Sequence, residues 1–438
     1  MDGGEAAPNE STFQWNALLY RYHGASPDEH REGTVPLPPG VGSIVGKDTG
    51  RRFLFRPGEF TVRQVDLDRY PALEATLEGK GARRWTKADY ATYGWGTSAE
   101  THGPKMAEIL RAKVEDRQSL ADMGLREAGL VRYVVDEFRS ADARVVDFPR
   151  FIEELRGDVG LLHEPLQIDP EIVLAGESGS YGPAEPPQRV PDKPVPDVPD
   201  HLGRGIRVGV VDTGIWKDHQ LLQDPPDRCE SRGPQDDEVL DQDGLGDLDY
   251  EAGHGTFIAG IIRQYAPAAT IVCRGTLDSM GLIDDATLGG TRLSLLVERL
   301  DILNISIFGY TYASEPTGLP TTIAALRALR EENPRLVVLG AGGNHNRAEP
   351  GYPAAWPEVI GVGALDRNFS KALFSNYGDW LNVWAPGVRL LSSYVGEDVN
   401  QPGGGTTDSW ARWSGTSFAT PVVAGKIAAA MTQPPADA

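Results

Sequence analysis

Two rhythms of apolar and polar positions divide the chain. From Gly205 onward, short apolar runs of the kind that bury both faces of a strand alternate with longer segments of helical period. The runs end near Gly214, Gly275, Gly309, Gly343, Leu365 and Gly387. The helical segments run from His254 to Ala266, Leu288 to Leu300, Thr321 to Glu332 and Ser417 to Met431. This alternation predicts an α/β domain with a doubly wound, mainly parallel sheet, whose functional residues gather at the carboxyl ends of strands.

The earlier part reads differently. Phe53 to Val65 has the pattern of one long strand or a strand pair, Met106 to Met123 of a helix, and Leu130 to Val135 of a strand. Val145-Val146 opens a short segment, Phe148 to Leu155 is helical, and Leu166 to Leu174 is strand-like. Two strand-helix-strand passages predict a small α+β domain, with a ferredoxin-like arrangement as one option. Pro183 to Pro199 interleaves prolines with charged residues, as in a stiff extended linker. The expected organisation is a poorly ordered segment over 1–45, the α+β unit over 46–180, a Pro-rich linker over 181–200 and the α/β domain over 201–438.

Charge narrows the function classes. Acidic residues outnumber basic ones by 63 to 42, which excludes the basic face that nucleic acid requires. No apolar run approaches the roughly 18–20 residues of a membrane span, so no membrane partner is expected. The acidic start Met1-Asp2-Gly3-Gly4-Glu5 lacks the pattern of a secretory signal, and the expected location is cytoplasmic. Cys229 and Cys273 are then reduced thiols, with Cys273 in the core. The densest acidic run, Asp236 to Asp249, reads first as a solvated loop and second as a recognition surface for basic substrate residues. Calcium ranks last, because Asp241, Asp243 and Asp247 do not follow the spacing of a twelve-residue calcium loop. No other cofactor or metal is expected.

Four polar residues stand at ends of apolar segments. Asp212 closes Arg207-Val208-Gly209-Val210-Val211, His254 opens a helical run between two glycines, and Asn344 follows Ala341-Gly342-Gly343. Ser417 lies in Ser414-Gly415-Thr416-Ser417-Phe418-Ala419-Thr420-Pro421, at a helix start where backbone N–H groups favour developing negative charge. Singly these are a strand-to-turn junction, a loop histidine, a turn asparagine and a helix cap. No packing requirement asks for all four in this order.

The order Asp, His, Ser, with these motifs, resembles the subtilase family of serine proteases over residues 205 to 431. Tyr352-Pro353-Ala354, Phe374-Ser375-Asn376-Tyr377-Gly378, Trp384-Ala385-Pro386-Gly387-Val388 and Asn304-Ile305-Ser306 add to the resemblance. It implies a serine endopeptidase acting on peptides or proteins, with a processing protease dedicated to one partner as a narrower option. Ser417 is the implied nucleophile, His254 its base, Asp212 the orienting carboxylate and Asn344 an oxyanion donor. It also implies a substrate pocket walled by Ser306, Ile307, Phe308, Ala341, Gly342 and Gly343 over a base at Gly351. Glycines there predict an open, mostly apolar pocket, and Glu349 nearby leaves a basic substrate residue as an alternative. Phe308 departs from the glycine common in the family, so its ring either narrows a subsite or packs outward. The N-terminal region is similar in position to a subtilase propeptide, an intramolecular inhibitor; a non-cleaved recruiting domain is the alternative. The contrasting function is a catalytically idle peptide-binding protein.

Overall fold

The computed structural model describes residues 42–45, 52–90, 99–139, 148, 151–152, 154–156, 168–176, 187–191, 198–217, 219–223, 228–242, 244, 246, 248–311, 319–396 and 409–432. Its C-terminal half is built on seven parallel strands: β7 (Arg207–Asp212), β8 (Cys229–Glu230), β9 (Thr270–Gly275), β11 (Ile302–Ile305), β13 (Val337–Ala341), β14 (Ile360–Leu365) and β15 (Val383–Pro386). They lie in the order β15-β14-β13-β11-β7-β9-β8. Alternation within the strands sends successive side chains to opposite faces. Val208, Val210 and Ile302 join one core with Phe257, Ile258, Phe418 and Val422. Val211, Leu303 and Ile305 join a second core with Leu288, Leu326 and Leu329.

Helices α3 (His254–Tyr265) and α6 (Thr416–Ala430) supply the first core, and α4 (Asp285–Ser294) and α5 (Pro320–Glu332) the second. The helix expected over Leu288 to Leu300 stops at Ser294 and starts earlier, where Asp284 caps it by accepting from the Thr287 N–H.

The N-terminal half contributes β1 (Gly42–Val45), β2 (Arg52–Arg63), α1 (Ala72–Gly79), β3 (Ala82–Arg84), α2 (Pro104–Glu127), β4 (Leu130–Val135) and β5 (Ile168–Gly176). The last four principal strands pair antiparallel in the order β5-β2-β4-β3. Counting them first to fourth along the chain, the order is fourth, first, third, second, as in a ferredoxin-like sheet. The 24-residue helix α2 is inserted between the second and third.

The two halves share this sheet. Strands β10 (Leu282–Asp284) and β12 (Ile307–Phe308), which belong to the α/β half, pair antiparallel with β5 on its two sides. Helix α2 packs tightly on α4: a Cβ on Gly124 would stand 2.8 Å from the Gly290 nitrogen, and one on Gly290 would overlap the Leu120 carbonyl.

Two boundaries differ from expectation. Gly42–Val45 lies within the segment expected to be poorly ordered, yet pairs with β2; the rest of 1–41 lies outside the described residues. Within the expected linker, β6 (Gln188–Val190) joins β16 (Leu390–Tyr394) and β17 (Ser409–Trp413) in a three-stranded sheet. Arg189 anchors it, donating to the carbonyls of Val395 (2.7 Å) and Gly396 (2.8 Å) with its guanidinium over the Tyr394 ring. Proline-rich composition signals extension, but an extended segment beside an unpaired strand edge can pair with it. Val145-Val146 lies outside the described residues.

Candidate active site

Asp212, His254, Ser417 and Asn344 are brought together at the carboxyl edge of the parallel sheet. Asp212 is the last residue of β7 and His254 the first of α3. Gly253 before it adopts φ 82, in the left-handed region, where a Cβ would stand 2.7 Å from the Tyr394 ring. Gly255 lets the helix close on the Gly214 carbonyl, so the two glycines beside His254 bring its ring to Asp212. His254 Nδ1 lies 2.7 Å from Asp212 Oδ1, which also accepts from the Thr213 N–H at 2.8 Å. Asp212, His254 and Ser417 are each 0 % exposed.

Ser417 is the second residue of α6, preceded by Gly415 as N-cap. Its Oγ donates to the Ser306 carbonyl at 3.3 Å, while Ser306 Oγ donates to the Ser417 carbonyl at 2.7 Å. His254 Nε2 has no hydrogen-bond partner among the described residues, so the serine–histidine hydrogen bond is open in this conformation. The Asn344 carboxamide oxygen is fixed by the Thr416 N–H and hydroxyl, both at 2.9 Å. Fixing that oxygen also determines where the amide N–H groups can point.

The histidine has a second carboxylate beside it. Glu251 Oε2 stands 3.9 Å from His254 Nε2, both side chains fully buried. Burial alone pushes the imidazole pKa down, but Asp212 and then Glu251 outweigh it and raise it to about 9. Trp413 and Phe418 close around the ring at centroid distances of 5.8 Å and 5.1 Å.

The pocket residues also converge, with a correction. Ser306 lies between β11 and β12, Ile307 and Phe308 form β12, and Ala341 ends β13 just before Gly342 and Gly343. The pocket over Gly351 is not open. A Cβ on Gly351 would overlap Phe308 Cε2 and Cζ, and one on Gly343 would stand 2.7 Å from the same two atoms. Phe308 therefore fills the space that the two glycines leave, and is 1 % exposed.

The acidic run is corrected too. Asp236, Glu238, Asp241 and Asp249 are buried, neither solvated nor displayed to a substrate. Asp236 accepts from the Arg232 and Gly275 N–H groups, and Glu238 from Thr256 Oγ1 at 2.8 Å. Asp241 accepts from the Gly244 and Gly246 N–H groups, whereas Asp243 and Asp247 lie outside the described residues. Burial raises the Glu238 pKa to about 7, against hydrogen bonds from Thr213 and Thr256 that lower it.

Sequence reasoning passed over Glu251, Trp413 and Lys113. Glu251 carried a usable signal, three residues before His254 at a helix start. Trp413 and Lys113 carried none, since their contacts are made across the fold. Lys113, from α2, buries its ammonium against the Thr213 carbonyl (2.8 Å) and the Gly275 carbonyl (2.6 Å), next to the strand end that presents Asp212. Burial pushes its pKa down, opposed by Glu238 and Asp236.

The arrangement can transfer a proton from a serine to a histidine held by a carboxylate, with an amide donor beside the nucleophile. The model of the subtilase family matches residues 203–436. A thermostable alkaline protease of Halalkalibacterium halodurans is 30% identical over 236 residues, covering 52% of this chain and 57% of that protein. An intracellular serine protease of Paenibacillus polymyxa is 31% identical over 241 residues, 52% of this chain and 66% of that protein. The chain thus spans less than two thirds of either relative. Fervidolysin from Fervidobacterium pennivorans, a keratinolytic enzyme related to subtilisin, shares the fold with a TM-score of 0.53 at 19% identity, over 86% of this chain and 54% of that one. With more than half its length matched by the family model, the chain belongs to the subtilase family.

Proposed function

We propose that the chain is a serine endopeptidase working through an acyl-enzyme on Ser417, and that its N-terminal half restrains it. The observation that carries the catalytic reading is the 2.7 Å contact of His254 Nδ1 with Asp212, beside a serine at a helix start. Rotation of Ser417 Oγ from the Ser306 carbonyl toward His254 Nε2 engages the base. The Oγ then attacks the peptide carbonyl carbon, its proton passing to Nε2 and from there to the leaving amine. Water repeats the cycle on the ester and restores both groups. Asn344 and the Ser417 N–H are the donors for the oxyanion. Labelling of Ser417 by a fluorophosphonate, located by peptide mass, tests this; an unlabelled Ser417 at every pH tried would leave the idle, peptide-binding reading. That second reading draws on the open serine–histidine hydrogen bond.

Restraint is supported by β5. Ser306, one residue before β12, is hydrogen-bonded to Ser417, so an extended peptide reaching the serine would lie along β12; β5 already occupies that edge, with Phe308 opposite Ala175, and pairs with β10 on its other side. Tethering keeps such a strand at roughly millimolar effective concentration, enough for modest affinity to block the cleft. A cytoplasmic location is supported by the free thiols of Cys229 and Cys273 and by the intracellular relative. Peptides or proteins are the proposed substrates.

A further inference from the structure

The pocket between Gly343 and Gly351 receives, on the peptidase reading above, the side chain that precedes the scissile bond. We infer that Phe308 is a specificity-determining residue that occupies this pocket and restricts that substrate position to glycine or alanine. The inference rests on the peptidase reading but concerns the substrate class alone.

Three observations hold the ring in place. Its backbone is fixed from the side that does not depend on β5: the next residue, Gly309, exchanges hydrogen bonds with Tyr352 at 3.0 Å and 2.9 Å. Its ring meets Tyr310 edge-on at 5.0 Å and His345 at 5.7 Å, and these two meet each other at 5.6 Å. Its edge lies against two residues with no side chain to displace, Gly343 and Gly351. A substrate side chain of similar size could enter only by expelling the ring. The apolar area buried by the newcomer would be no greater than the area the ring gives up, so nothing remains to drive the exchange. A glycine or alanine needs no exchange.

Gly351 offers a test that does not depend on turnover. It lies outside the left-handed region, so alanine there is opposed by the Phe308 ring and not by backbone strain. In the full-length protein, Gly351→Ala is expected to lower the melting temperature, and Phe308→Ala in the same chain to recover part of the loss. A Gly351→Ala protein as stable as the parent would overturn the inference.

The activity test uses full-length protein with a mixture of N-acyl tetrapeptide p-nitroanilides differing only in the last residue: Gly, Ala, Leu, Phe or Lys. Ratios of kcat/KM from competing substrates are independent of how much enzyme is unrestrained. Ala or Gly is expected to exceed Leu, Phe and Lys by roughly 100-fold. Phe308→Ala, or the milder Phe308→Leu if alanine impairs folding, is expected to raise Leu and Phe relative to Ala by about 10-fold or more. Parent protein that cleaves after Leu or Phe as well as after Ala, or a labelled variant with an unchanged profile, would overturn it. Failure of Ser417 to react with a fluorophosphonate in the parent overturns the peptidase reading instead, and with it this inference, whereas the Gly351 result separates the two.

Discussion

The Lys113 ammonium donates to the carbonyl oxygen of Thr213 at 2.8 Å, so a helix of the N-terminal half reaches the residue that follows Asp212. The same group satisfies the Gly275 carbonyl, and four residues along α2 Arg117 donates to the Thr276 carbonyl at 2.7 Å. Lys113→Met keeps the length of the stem and removes the donor, leaving buried carbonyls unpaired. A loss of about 1–3 kcal/mol is expected in urea unfolding of the full chain. Unchanged stability would mean that α2 is not seated there in solution.

Ser417→Ala is expected to abolish fluorophosphonate labelling and to reduce turnover by about 10⁶, the scale known for the equivalent loss in subtilisin. Asn344→Ala should cost about 10²–10³ in kcat, again the subtilisin scale, with KM little changed. Because the Asn344 oxygen also holds Thr416, a melting curve accompanies the kinetics. Equal losses in the two variants would make Asn344 structural.

The His254 pKa of about 9 sets an expectation for pH. Only neutral imidazole accepts the serine proton, so labelling should rise with pH between 7 and 10. Stability should move the opposite way. The folded value exceeds the free value of roughly 6.5, so this group's contribution is complete below pH 6.5 and is lost as pH climbs through 9. Glu251→Gln removes one of the three carboxylates, with Asp212 and Glu238, that raise the His254 pKa, and the labelling profile should shift toward acid by about one pH unit. A profile unmoved by that change would remove Glu251 from any role in tuning His254.

Cutting the chain between Gly176 and Gln188 tests restraint without touching β6, which a truncation nearer residue 199 would delete. With a site-specific protease sequence inserted there, cleavage of the folded protein followed by dilution is expected to raise peptide hydrolysis. Adding back excess N-terminal fragment should lower it again. Activity that neither rises nor responds to the fragment would make the N-terminal half a recruiting module.

The hydrogen bond between His254 and Asp212 gives a further measurement. A proton NMR signal from the His254 Nδ1–H, bonded to Asp212, is expected in the resting protein and should persist in the Ser417→Ala variant, because that bond does not depend on the serine. Loss of the signal on removing Ser417 would show that the nucleophile helps to hold the ring.

The sequence by itself determined the alternating α/β plan, the strand-end and helix-start positions of Asp212, His254, Asn344 and Ser417, and their order. These are local matters: a period of hydrophobicity, a glycine beside a crowded residue, a polar group closing an apolar run. Tertiary structure decided what depends on distant parts of the chain meeting. The acidic run around Asp241 reads as solvated until the fold supplies the N–H and hydroxyl donors that bury it. Lys113 reads as the polar face of a helix until two carbonyls, one 100 and one 162 residues away, receive it. The Pro-rich stretch reads as a spacer until β17 offers Gln188–Val190 an edge. Gly351 promises an open pocket, and the outcome turned on the rotamer of Phe308, 43 positions earlier. Composition and spacing record what a residue can do; its partners, and therefore its energy, exist only once the chain has closed on itself.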